Sequence, residues 1–139
     1  MARCRIFTID EGLLPVVEGG LYTKNFSTLR ISVSVVKFVA PGGASLKARA
    51  HSHGEEASLQ LTGGCSVFQP DDNPEAEFRM EAGDALLIPA GSSHYGNNRF
   101  DESGVSMRLN VVSPPRAEFV AKDAAPFYPL ADVPAKPNP

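Results

Sequence analysis

From Thr28 to Ser113 the chain is a succession of short apolar and polar alternations cut by turn residues, and this rhythm restricts its fold most. Residues 28 to 39, TLRISVSVVKFV, alternate through Leu29, Ile31, Val33 and Val35, slip by one at Val36 and resume at Phe38. That is the pattern of a strand carrying a bulge. Further β-like runs follow at Ser58 to Leu61, Cys65 to Gln69, Glu77 to Met80, Ala85 to Ile88 and Val105 to Ser113. Between them stand PGG at 41 to 43, Gly63-Gly64, PDDNP at 70 to 74, Gly83-Asp84 and Pro89 to Gly91, all turn chemistry. Before Pro115 no segment keeps a 3.6-residue period beyond two turns, whereas strands recur about every 8 to 12 residues, as in sandwiches and barrels. The expected fold is all-β.

A chain of 139 residues supports one core, since a second would leave each half too little apolar surface to bury. After Ser113-Pro114-Pro115 the sequence offers a short helix at Ala117 to Ala124 and then a Pro-rich tail ending KPNP, read as an extended or disordered arm. The expected organisation is an N-terminal arm or edge strand over residues 1 to 27, a barrel over 28 to 116, and the helix and tail over 117 to 139. With a net charge of -3 and scattered Lys and Arg, no basic stripe is available to neutralise a phosphate backbone, so nucleic acid is not the expected partner. No apolar run approaches the roughly 20 residues of a membrane span, and residues 1 to 10 lack the apolar stretch of a secretory signal. A cytoplasmic protein is expected. Cys4 and Cys65 occupy no metal or redox spacing and are read as packing residues.

The chemistry concentrates in three histidines, the whole complement of the chain. His51 and His53 stand at i and i+2 in ARAHSHGEE, a spacing that on a strand projects both imidazoles from one face, about 6.5 to 7 Å apart along the backbone. His94 follows the sharp turn PAGSSH, from which a neighbouring strand can carry it across to complete a face of nitrogen ligands.

Both clusters lie in a pattern that resembles the two motifs of the cupin superfamily. The second motif of that family runs Gly, five residues, Pro-x-Gly, two residues, His, three residues, Asn. It is met at every position by Gly83, Pro89, Gly91, His94 and Asn98. The first motif is met by His51-Ser52-His53, Glu56 and Gly63, with two departures: two residues rather than three or four separate His53 from Glu56, and Gly43 lies seven residues rather than five before His51. The resemblance covers about residues 28 to 116. SPPRAEF at 113 to 119 is similar to the strand exit of small single-domain, conserved-barrel cupins. It implies a double-stranded β-helix, or jelly-roll barrel, holding one divalent ion (Fe, Mn, Ni or Zn) through His51, His53, His94 and a carboxylate.

The carboxylate is Glu56 or Glu55. Regular strand parity from His53 puts Glu55 on the histidine face. Gly54 offers a break in register that turns Glu56 inward instead. Ser58 and Gln60 then share the face of Glu56, while Ala57, Leu59 and Leu61 form an apolar face for packing. Glu56 is favoured on that alternation and on its six-residue spacing to Gly63. Gln60, Ser58, Tyr95 and Arg108 are candidate substrate or supporting residues, with Arg30 weaker; Arg108 shares a strand face with Ser106 and Asn110.

Three imidazoles and a carboxylate leave an octahedral ion two open positions for water, dioxygen or a chelating substrate. The expected function is therefore a metal-dependent enzyme acting on a small oxygenated molecule, by dioxygenase or by isomerase, lyase or cyclase chemistry. The alternative is a non-catalytic cupin that senses or stores a small ligand. A homodimer is expected because open sheet edges need cover, with Arg5 to Ile9 as a strand laid across the partner.

Overall fold

The computed structural model describes residues 3–120 and 125–131. Nine strands follow in chain order: β1 Leu14–Val17, β2 Leu21–Ser27, β3 Ser32–Val39, β4 Glu55–Thr62, β5 Gly64–Gln69, β6 Asn73–Glu81, β7 Ala85–Ile88, β8 Tyr95–Arg99 and β9 Val105–Ser113. A 3-10 turn at Gly42–Ser45 takes up the PGG cluster, and a four-residue helix, α1, spans Ala117–Val120. The rest of the expected helix and the KPNP end lie outside the described residues. No helix among the described residues is long and apolar enough to cross a membrane.

The strands form two antiparallel sheets, one in the order β1-β2-β3-β9-β4-β7 and one in the order β6-β5-β8. Leu86 of the large sheet packs on Cys65, Val67 and Met80 of the small one, so the sheets face each other across a shared interior. Register then aligns the interior in rows. Ser32, Val112, Glu56 and Ile88 pair across β3, β9, β4 and β7, as do Ser34, Asn110, Ser58 and Leu86. Val36, Arg108 and Gln60 form the next row, and Phe38 with Ser106 the last. Around Phe38 the interior becomes apolar, with Leu21, Val36 and Leu130 buried together.

Four expectations change. β3 pairs with β2 and β9 without a register shift, so Val36 marks no bulge. Its interior positions are Ser32, Ser34, Val36 and Phe38, whereas Val33, Val35 and Lys37 lie on the other face. The apparent slip in the sequence is a strand whose inward face changes from polar to apolar along its length. Likewise the Ala57 and Leu59 face of β4 is not buried: it points outward, and Leu59 is 37% exposed.

Residues 5 to 9 form no strand either. Phe7 stacks on Phe26 of β2 at 4.2 Å, and Lys24 Nζ donates to the Thr8 and Glu11 carbonyls at 2.7 and 2.9 Å, holding this segment against its own sheet. Cys4 is exposed and Cys65 buried, so only Cys65 packs as expected.

Candidate metal centre

Two loops that are distant in sequence are laced together by main-chain hydrogen bonds. His51 N–H donates to the His94 carbonyl at 3.0 Å and His94 N–H returns the bond to His51 at 2.9 Å. Gly91 N–H donates to the His53 carbonyl at 2.9 Å. Gly91 takes φ +76°, a left-handed conformation that a side chain would strain, and so lets the PAGSSH turn fold back onto the HSH segment. The histidine spacing read from sequence thereby becomes one cluster.

Gly54 sets where β4 begins. A Cβ there would collide with the Ser113 carbonyl, so its role is close approach to β9 rather than an unusual dihedral angle. Glu55 then pairs with Ser113 and Glu56 with Val112. Val112 is buried, and Glu56 beside it faces the interior at 5% exposure, while Glu55 is exposed.

Each imidazole has one nitrogen committed to the main chain. Nδ1 of His51 lies 2.8 Å from the Arg49 carbonyl, Nδ1 of His53 2.8 Å from that of Gly54, and Nδ1 of His94 2.9 Å from that of Ser92. A carbonyl can only accept, so Nδ1 carries the proton and Nε2 keeps its lone pair. The Nε2 atoms of His53 and His94 are 3.2 Å apart, and Oε2 of Glu56 lies 3.2 Å from the first and 3.6 Å from the second. The ligating atoms of His51, His53 and His94 all fall within 4.8 Å of one another.

Lone pairs and a carboxylate converging in this way repel unless a cation sits among them. Ligands about 2.0 to 2.2 Å from a divalent ion and at right angles lie about 3 Å from each other, close to the His53–His94 and His53–Glu56 separations of 3.2 Å. The pre-set Nδ1–H donors are the outer-shell arrangement that orients metal-binding histidines. Burial pushes the His51 pKa down to about 4 and lowers that of His94, so both are neutral near pH 7. For Glu56 burial acts the other way, but positive charge around it, on His53 and His94 when these take up a second proton and on Arg116, overcomes it and holds the carboxyl below its ordinary value. The donor set fits a divalent metal ion.

The site opens on a cavity of about 420 Å³, counted with its solvent-facing mouth and lined by His51, Glu56, His94, Ser58, Arg108 and Tyr128, among others. Ser58 donates to Asn110 Oδ1 at 2.8 Å on its wall. Gln60 is fully buried and donates to the Thr62 carbonyl and to Ser106 Oγ, bonds that hold strands rather than ligands. Tyr95 is not brought to the site: it stacks on Phe68 at 5.4 Å. Arg30 is exposed.

Two cavity residues escape sequence reasoning. Residues 125 to 131, read as part of a free tail, return to the barrel: Arg49 N–H donates to the Pro129 carbonyl, Ala131 N–H donates to that of Lys47, and Leu130 is buried. That return places Tyr128 in the cavity wall, together with Arg116 just after β9. The aromatic-apolar island FYPL, between prolines, is the only sequence signal for it.

No protein-family model matches the chain, and no curated protein does. Among solved structures it is similar to an RmlC-like cupin from Shewanella frigidimarina, at 16% identity and a TM-score of 0.61 over 86% of this chain and 97% of the other. It is also similar to KdgF from Halomonas sp., at 20% identity and a TM-score of 0.58 over 77% and 91% of the two chains. Hydroxypropylphosphonic acid epoxidase from S. wedmorenis gives 16% identity and a TM-score of 0.58, over 78% of this chain and 59% of the other. At these identities the likeness speaks for the fold alone.

Proposed function

We propose that this chain is a mononuclear metal-dependent enzyme acting on a small oxygenated organic molecule by inner-sphere coordination. It has the cupin fold, a double-stranded β-helix of two antiparallel sheets. The observation that carries the reading is the convergence of three unprotonated Nε2 atoms and the Glu56 carboxylate beside a cavity.

A bound divalent ion, iron, manganese, nickel or zinc, would supply Lewis-acid or redox chemistry at two positions left open by the protein. His51, His53 and His94 hold it through Nε2, and the Arg49, Gly54 and Ser92 carbonyls keep each ring in that tautomer. Glu56 contributes the one negative charge. Ser58 and Asn110 give the cavity a neutral polar wall beside the ion. The large-sheet rows nearest the metal thus supply hydrogen-bonding groups among the aliphatic side chains of Val112, Ile88 and Leu86. Among the structural neighbours, one is named an epoxidase, which supports a catalytic reading over storage or sensing.

Metal analysis of tag-free protein, paired with oxygen uptake on reconstituted protein, tests the proposal. Stoichiometric iron with substrate-dependent uptake assigns dioxygenase chemistry. Zinc, nickel or manganese without uptake assigns isomerase, lyase or cyclase chemistry. Protein that retains no divalent ion overturns it.

The proposal includes a cytoplasmic homodimer. Leu59 and Leu87, 37% and 76% exposed, stand on the outer face of the adjacent strands β4 and β7, and a second copy would remove them from water. Light scattering at micromolar concentration should give twice the chain mass.

A further inference from the structure

The cavity holds more positive charge than the metal reading requires. Arg108 projects from β9 into the interior, opposite Gln60 and Val36, and is 6% exposed. Its donors find neutral acceptors: Nη1 meets Asn98 Oδ1 at 2.6 Å and Nη2 meets the Tyr128 hydroxyl at 3.3 Å. A guanidinium carries five N–H groups, and these bonds engage two of them. Its central carbon lies 5.9 Å over the Phe38 ring. Among the described residues it makes no ion pair. Tyr128 cannot be the counter-ion, because burial raises its pKa and keeps the phenol protonated.

Burying a guanidinium without a counter-charge is costly, and a protein that needed only a filler here would place an apolar side chain between Phe38 and Asn98. Arg116 adds to the excess. It lines the same cavity, its Nε has no hydrogen-bond partner among the described residues, and its one ion pair, with Glu118, is 3.4 Å long at the surface side. Of the charged residues in the wall, Glu56 is the one anion, and the metal would claim it. With a divalent ion in place the cavity has two guanidinium groups and no free negative charge.

Arg108 is opposite Gln60, four residues along β4 from Glu56, a Cα separation of about 13 Å along the strand. The long arginine side chain lines the same cavity as the ligands from that distance. We infer that the substrate is a small organic anion with two functional ends: an oxygen pair that chelates the metal, and a carboxylate that pairs with the Arg108 guanidinium deeper in the barrel. The inference rests on the metal reading above and adds the charge class of the substrate to it. The planar fork of arginine suits a carboxylate edge-on, where two parallel N–H···O bonds fix orientation as well as charge.

The test uses calorimetry on the zinc-loaded full-length protein with lactate, malate, 2-hydroxyglutarate and the 4-amide of malate. All four carry the same chelating 2-hydroxycarboxylate, and only malate and 2-hydroxyglutarate add a second carboxylate. At least one diacid should bind about tenfold or more tighter than lactate, the size of one charge-assisted pair, and the 4-amide should bind like lactate. Arg108→Gln should erase the diacid preference while leaving zinc content and lactate affinity within about twofold. Arg108→Lys keeps the charge without the fork and should retain part of the preference, which decides the matter if Arg108→Gln does not fold. Diacids no tighter than lactate in the wild-type protein, or a preference that survives Arg108→Gln, overturns the inference and leaves the metal reading standing. Binding of lactate that is indifferent to zinc overturns the metal reading, and this inference with it.

Discussion

The two faces of the β4-β9 pair are built in opposite senses from the usual soluble sheet. Toward the interior they present Glu56, Ser58, Gln60, Ser106, Arg108 and Asn110. Toward the outside they present Ala57, Leu59, Met107, Leu109 and Val111. A sheet of this kind normally buries its apolar face and wets its polar one. Here the interior polarity is sustained by hydrogen bonds, Ser58 to Asn110 and Gln60 to Ser106, because a buried polar group without a partner is expensive. The contrast separates two jobs within one barrel. The Phe38, Leu21, Val36 and Leu130 end supplies cohesion, and the Glu56 end supplies a site.

The largest effects should come from the site. His51→Ala, His53→Ala, His94→Ala and Glu56→Ala should each weaken zinc or manganese binding about a hundredfold or more, measured by competition with a chromogenic chelator, since even outer-shell changes cost about 10- to 100-fold. Glu55→Ala should leave affinity unchanged. Equal losses for Glu55→Ala and Glu56→Ala would erase the distinction between the two faces of β4.

Next in size is the contrast in stability. Phe38→Ala removes a fully buried ring and should cost about 3–5 kcal/mol in chemical denaturation. Leu87→Ala, on the outer face, should cost within about 0.5 kcal/mol in dilute protein. A large loss from Leu87→Ala at low concentration would show that the outer face is packed within one chain. Leu87→Lys should leave metal content intact and convert the dimer to a monomer, read by light scattering.

A smaller effect is expected from pH. Burial depresses His51 to about 4 and lowers His94, against an unfolded value of 6.5. Between those values the unfolded chain binds more protons than the folded one, so the metal-free protein should lose stability as pH falls from about 6.5 toward 4. The metal-free form therefore has its own acid slope. In the folded protein, protons compete at His51 and His94 only below the ordinary histidine range. Magnetic-resonance titration of the metal-free protein should thus show the His51 ring still neutral at about pH 6 and taking up its proton only toward about pH 4. A His51 ring half-protonated at about pH 6.5 would contradict its burial.

How much of this was legible in the sequence follows the same two-faced pattern. Alternation located β4, β5, β7 and β9, and HSH followed by Glu-Glu and Ser-x-Gln pointed the polar side of β4 inward. The same habit failed on β3, where the run of Val33, Val35, Val36 and Phe38 suggests a bulge although the strand pairs without a shift, with Ser32 and Ser34 turned to the interior and Val35 buried on the opposite face. Hydrophobic periodicity assumes an apolar interior, and a barrel built around a ligand cavity violates that assumption row by row. β8, YGNNR, is polar and glycine-bearing and gives no strand signal; it is held by its pairing with β5. β1 and β2 extend the large sheet back to Leu14, ahead of the expected boundary at 28, because the segments LPVV and LYTKNFS are short and broken by Pro15 and Lys24. Tyr128 and Arg116 lie past a double proline, and long-range packing that local composition cannot encode brings them to the cavity.

X-ray absorption on tag-free protein titrated with zinc tests the central claim most directly, because it counts both ions and ligands. Saturation is expected at one ion per chain, with a first shell of nitrogen and oxygen only and the outer scattering of three imidazoles. Saturation at another stoichiometry, sulfur in the first shell, or fewer than three imidazoles would contradict it.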